Sequence, residues 1–236
     1  MKSSVLLISV LLSFTAHSQF VEFGGGVGAS HYTGDIVHYP HLSMTKPGVT
    51  GLLRLNFSNI VSLKTAITYM GVSASDDKYF DALGRERQHN FNHQILELSS
   101  VFEYHFLPYR SDKSRIPWAP YALLGIGFAN IMGVEPTYED FNKLQVVIPM
   151  GGGIKYELTK QLTLGIEASA RKTFFDYLDG ISDGDVSFKN NYQFGNPNDK
   201  DWYFYTGINL TFVLYKIPCP YPYVPNRAIL SRIRAN

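Results

Sequence analysis

Every second side chain is apolar along several runs of this chain. That period of two is the strongest constraint on its fold, because side chains alternate between faces along a β-strand and not along a helix. In residues 162–171, Leu162, Leu164, Ile166, Ala168 and Ala170 share one face and Thr163, Gly165, Glu167, Ser169 and Arg171 the other. Val49, Leu53, Leu55 and Phe57 stand opposite Thr50, Leu52, Arg54 and Asn56, with Leu52 out of pattern. Leu63, Thr65, Ile67 and Tyr69 oppose Lys64, Ala66 and Thr68. Leu96, Leu98, Phe102, Tyr104 and Phe106 oppose Glu97, Ser99, Glu103 and His105, and Ser100 and Val101 break that pattern. Two more runs group Ile148, Met150, Ile154 and Tyr156, and then Trp202, Phe204, Ile208, Leu210, Phe212 and Leu214 opposite Tyr203, Tyr205, Asn209 and Thr211. The Gly-rich segments 20–30 and 121–131 are strands by position, with ambiguous parity. The expectation is an all-β chain of eight strands.

The spacing between strands adds independent information. Tight connections at 58–61 and 159–161, and a moderate one at 108–117, alternate with long polar segments at 34–46, 74–92, 132–143 and 173–200. Short turns on one side and long loops on the other are the habit of bacterial membrane barrels, whose strands need ~9–11 residues to cross. No stretch reaches the ~18 uninterrupted apolar residues of a membrane-crossing helix.

Two-faced strands close into a barrel in one of two senses. A soluble eight-stranded barrel turns its apolar face inward, but here that face carries Leu, Ile, Phe, Tyr and Trp nearly throughout. An eight-stranded interior is only just wide enough for side chains to fill. The wet face suits it better: small residues, with Arg54, Lys64, Lys155 and Arg171 available to pair with Glu97, Glu103 and Glu167. Buried charges must be paired, and this set is near balance. The fold class expected is therefore an eight-stranded antiparallel transmembrane β-barrel. Arg54, Glu97, Glu103, Glu167 and Arg171 are its structural lumen residues, and Phe57, Tyr104, Phe106, Tyr156, Trp202 and Phe212 are candidates for its aromatic girdles. A lumen so filled is not expected to conduct, since an open porin needs ~16 strands.

Composition agrees with this reading. Charged residues make up 17% of the chain against ~25% in soluble domains, and aromatics 14%, so part of the surface faces something other than water. Residues 1–18 read as a signal peptide: Lys2, an apolar run over 5–12, and Ala16-His17-Ser18 before the cut. Residues 19–215 are then the barrel and 216–236 a Pro-rich tail. The formal charge of +1 falls when Lys2 is removed, leaving no overall charge with which to seek nucleic acid. The single cysteine, Cys219, excludes an internal disulfide and leaves a free thiol or an intermolecular bridge.

The candidates for chemistry are weak. His31, His38, His41, His89 and His93 fall in or near the first two long loops, but their spacing fits no established metal motif. The segment holding Asp176, Asp179, Asp183 and Asp185 does not have the ligand alternation of a calcium loop and reads as a solvated turn. His93 with Ser99, and His105 with Glu103, share the wet face of one strand with no nucleophile elbow to mark them. The chain is read as a non-enzyme with no cofactor. The tail says more: Pro218, Pro220, Pro222 and Pro225 favour an extended segment that cannot join a sheet as a central strand. Tyr221, Tyr223, Arg227, Arg232 and Arg234 on it are proposed partner contacts, against the alternative of a frayed terminus.

Several stretches carry a family likeness: His31-Tyr32-Thr33-Gly34-Asp35, Lys46-Pro47-Gly48 with Arg54-Leu55-Asn56, Leu96-Glu97-Leu98-Ser99 with Phe102-Glu103-Tyr104, and Trp118-Ala119-Pro120-Tyr121. Pro149-Met150-Gly151-Gly152-Gly153-Ile154-Lys155-Tyr156, Thr173-Phe174-Phe175-Asp176-Tyr177-Leu178-Asp179 and Ile217-Pro218-Cys219-Pro220 complete it. In their order and spacing these stretches resemble the PorG-like family of small outer-membrane barrels of the Bacteroidota, a component of type IX protein secretion. The resemblance implies an eight-stranded barrel with both termini in the periplasm, docked there to a ring formed by a lipoprotein and its partner subunit, and it implies no catalytic residues. Outer-membrane lipid and lipopolysaccharide are its expected surroundings. The alternative is a stand-alone surface barrel whose outer loops bind an external ligand or partner.

Overall fold

The computed structural model describes residues 20–33, 44–75, 90–108, 116–133, 143–174 and 201–214. The signal segment, the tail with Cys219 and its Tyr and Arg residues, His38, His41, His89 and the Asp-rich segment at 176–185 lie outside the described residues.

Eight antiparallel strands close on themselves: β1 (Phe20–Thr33), β2 (Lys46–Asn56), β3 (Val61–Ser75), β4 (Asn90–His105), β5 (Trp118–Met132), β6 (Leu144–Glu157), β7 (Leu162–Thr173) and β8 (Trp202–Leu214). Each strand pairs with its neighbour in the chain, and β8 returns to β1 from Val21↔Leu214 through Thr33↔Trp202. The register settles the two Gly-rich strands. In β1, Glu22, Ser30 and Tyr32 are buried while Phe23 and Val27 are exposed; in β5, Tyr121, Leu123, Ala129 and Ile131 are buried while Leu124, Ile126 and Phe128 are exposed.

The direction of each face identifies the solvent. Val27 is 65% exposed, Phe102 and Leu124 59% each and Ile208 53%, whereas Arg54, Glu97 and Glu103 are fully buried. A wall with apolar side chains outside and charges inside is stable when hydrocarbon surrounds it, and closure gives every wall strand two hydrogen-bonded neighbours. Leu52 and Val101, the two residues that broke the pattern, point inward with the charges, and Val101 packs on Tyr121 and Leu123.

The tight connections are built by hydroxyl turns. Ser58 Oγ accepts from the backbone N–H of Ile60 and Val61 at 3.2 and 3.0 Å, and Thr159 Oγ1 accepts from Gln161 and Leu162 at 3.3 and 3.0 Å. At the opposite rim the strands run further than the sequence predicts. The β3–β4 ladder continues to Ser75↔Asn90, so residues 74–75 and 90–92, expected in a loop, are strand. The reason is visible in the faces: Val72, Ala74, Phe91 and Ile95 are buried inside, while Asn90, Asn92 and Gln94 are exposed outside. Polarity there is the reverse of the rest of the wall.

Ile67, 57% exposed near the middle of β3, faces the bilayer. Ile67→Arg is expected to destabilise the barrel by about 2–4 kcal/mol, the range for a basic side chain at the bilayer midplane. Urea unfolding in lipid vesicles, followed by the heat-modifiable gel shift, measures it.

Candidate functional site

The feature of this barrel with dense chemistry is its lumen. At the short-turn end, Glu103 of β4 is the central acceptor: Arg54 Nε lies 2.8 Å from it, Ser62 Oγ donates at 3.1 Å, and Lys155 Nζ donates to the same carboxylate. Arg54 also donates to Glu22 at 2.7 Å, and Glu22 accepts from Asn56 at 2.6 Å and Thr211 at 3.0 Å. Lys155 contacts His105 Nε2 at 2.7 Å, and the other ring nitrogen of His105 lies 3.1 Å from the Ile60 carbonyl. That pairing makes Nδ1 the N–H donor and leaves Nε2 as acceptor.

A second set lies at mid-height. Lys64 is 2.5 Å from Glu167, which also accepts from Tyr121 at 2.9 Å. Arg171 donates to Glu97 at 3.2 Å and to Ser169, and Tyr203 donates to Glu97 at 2.8 Å. Glu22, Glu97, Glu103 and Glu167 thus face Arg54, Lys64, Lys155 and Arg171, a balance of sign that lets the set stand in a narrow interior. All five lumen residues expected from the sequence are brought to this interior. Glu22 was not expected, because the Gly-rich run that follows Phe23 leaves the parity of the strand ambiguous.

Above the charges, toward the long-loop rim, the lumen is apolar. Met70, Val72, Ile95 and Val147 are fully buried, with Tyr32, Phe91, Ile131 and Tyr203 packed among them. Tyr32 donates to Asp201 at 2.5 Å and meets Phe91 edge-on at 5.1 Å between centroids. Tyr205 lies between the two layers, its ring 5.3 Å from the Arg171 guanidinium. A Cβ on Gly28 or Gly207 would fall 2.6 or 2.9 Å from that ring, so the two strands beside Tyr205 need glycine there.

The sequence candidates for catalysis and metal binding are placed as follows. His93 and Ser99 both face inward, but six residues of extended strand put them about 20 Å apart, far beyond proton-transfer reach. His105 faces Lys155 on one ring nitrogen and the Ile60 carbonyl on the other. His31 points outward, stacked on Phe204, and His93 inward, stacked on Phe91. Among the described residues no group of three His, Cys, Asp or Glu could hold a metal ion. Of the proposed girdle, Phe57, Tyr104, Phe106, Tyr156 and Phe212 lie outside at the short-turn end and Trp202 at the other, where Lys172 sits over its ring at 5.6 Å.

Residues 1–223 match the family described as Domain of unknown function (DUF6089). The chain belongs to that family. No curated protein matches it. Among solved structures it is similar to a major outer membrane protein of Thermus thermophilus (14% identity, 84% of this chain and 100% of that one, TM-score 0.47). It is similar also to the attachment invasion locus protein Ail of Yersinia pestis (11%, 84% and 100%, 0.46) and to Neisserial surface protein A (11%, 83% and 97%, 0.44). At these identities the likeness extends to the fold alone.

Glu103 lies within 4 Å of three basic side chains, Arg54, Lys64 and Lys155. Glu103→Ala strands Arg54 and Lys155 in the lumen and is expected to cost about 3–5 kcal/mol, the range for breaking a buried ion pair. Glu97→Ala and Arg171→Ala also lower stability. A urea series scored by gel shift ranks the three, and unchanged midpoints would remove the lumen set from the account of stability.

Proposed function

We propose that this DUF6089 protein is a non-enzymatic outer-membrane barrel that anchors a periplasmic secretion assembly, in the manner of the PorG-like barrels of type IX protein secretion. The observation that carries the reading is the combination of a packed lumen and co-located ends. The wall is filled with ion pairs and apolar side chains, so its interior offers no wide path for cargo. β1 begins and β8 ends at the same rim, beside each other at Val21↔Leu214, and that rim also holds the hydroxyl turns. A tail leaving β8 there shares a compartment with the short turns, which we take to be the periplasm. In this reading Tyr221, Tyr223, Arg227, Arg232 and Arg234 supply the contacts, the partner being a lipoprotein-containing ring. The lumen residues Arg54, Glu97, Glu103, Glu167 and Arg171 keep the anchor folded.

The second reading, a surface barrel acting through its outer loops, is favoured by the reversed polarity at the long-loop rim, which presents Asn90, Asn92 and Gln94 to the outside. The two separate cleanly. Ending the chain at Lys216 is expected to abolish co-purification of periplasmic ring subunits from gently solubilised outer membranes, while replacing 76–89 or 175–200 with short linkers leaves it intact. Retention by the truncated form moves the contact to the short turns. No partner with either form sinks the anchoring role.

A further inference from the structure

The lumen changes character along its axis, and the outside wall changes with it in the opposite sense. Through most of the height, Leu98, Ile67, Leu124 and Ile208 face outward and charges face inward. On the β3–β5 side of the long-loop rim this reverses, whereas Leu144 and Val146 on β6 and Phe174 just past β7 stay apolar and exposed there. Val72, Ala74, Phe91 and Ile131 face inward, while Asn90, Asn92 and Gln94 on β4 are exposed outward and Asn130 shares the outward face of β5. Tyr69, the last large apolar residue of the outer face of β3, donates its hydroxyl to Gln94 where the two regimes meet. A phenol with an apolar body and a polar tip suits a membrane–water boundary. β3 and β4, at 15 and 16 residues, also exceed the ~9–11 needed to cross.

Packing of Met70, Val72, Ile95 and Val147 against one another is favourable because it takes their apolar surface out of lumen water. Below this apolar layer lies a small cavity of mixed lining, with Lys64, Ser99, Glu167, Arg171 and Tyr205 facing Leu52, Val101 and Leu123. The Tyr205 hydroxyl is buried with no hydrogen-bond partner among the described residues. A cavity with several polar groups and an unsatisfied hydroxyl at its edge is where buried water binds.

We propose that the apolar core near the long-loop rim is the barrier that closes the lumen, over a water-binding chamber at mid-height. The ion pairs below fix the shape of the wall; the apolar layer stops ions, as hydrophobic constrictions do by excluding water. The inference is independent of which partner the barrel serves.

Conductance of the full mature chain in planar bilayers tests it. The parent protein is expected to be silent. Ile95→Ser with Val147→Ser, which wets the apolar layer, is expected to give discrete current steps, and the milder Val72→Ser to give rarer ones. Glu103→Gln with Lys155→Met, which discharges the ion pair below without touching the apolar layer, is expected to stay silent. Each variant is scored only after the gel shift shows it folded. Current steps from the ion-pair variant, or silence from both folded apolar-layer variants, would overturn the assignment.

Discussion

Hydrocarbon offers no partner for a backbone N–H or C=O, and the rest of this structure depends on that. Each unpaired group costs several kcal/mol in lipid, so a sheet entering a membrane must leave no edge. The seam between β1 and β8 meets the requirement over the whole of β1 from Val21 to Thr33. Closing with eight strands then fixes the width, and the width dictates the contents: an interior this narrow is filled by side chains. Tyr205 shows how little room is left, since its ring occupies the space that a Cβ on Gly28 or Gly207 would need. Charges admitted to such a space must come in matched sets, and four glutamates with four basic residues supply one.

The same chain obeys a different rule near its long-loop rim, with no break in hydrogen bonding to mark the change. The β3–β4 ladder is continuous from Val61↔Tyr104 to Ser75↔Asn90 while the two faces exchange polarity. Backbone pairing is indifferent to solvent; side-chain distribution is not. Apolar side chains inside the lumen gain by packing out of lumen water, whatever lies outside the wall.

How legible these features were in the sequence follows from the same physics. Arg54, Glu97, Glu103, Glu167 and Arg171 could be placed in the lumen because each follows an apolar residue within a run of alternating strand, and the structure puts all five there. Glu22 stands between Val21 and Phe23, but the glycines at 24, 25, 26 and 28 break the alternation that would extend that parity along β1. The pairing itself was hidden as well: Lys64 meets Glu167 across 103 positions of sequence, and no local pattern encodes that. The upper wall was misread as loop for a subtler reason. Its period stays at two, but the inward residues become apolar and the outward ones Ser and Asn, so a strand recognised by its oily outer face seems to stop at Tyr69.

Apart from Arg54–Glu22 between β1 and β2 and Lys64–Glu103 between β3 and β4, the ion pairs join strands that are not neighbours. Glu103 and Glu97 on β4 bind Arg54 on β2, Lys155 on β6 and Arg171 on β7, and Lys64 on β3 reaches Glu167 on β7. A β3–β4 or β6–β7 hairpin inserted alone would carry Glu97, Lys155 and Glu167 without the partners they meet across the finished barrel. The charges thus tie assembly to completion: the finished wall resists opening at a single seam because parting two strands also separates partners on the far side of the barrel.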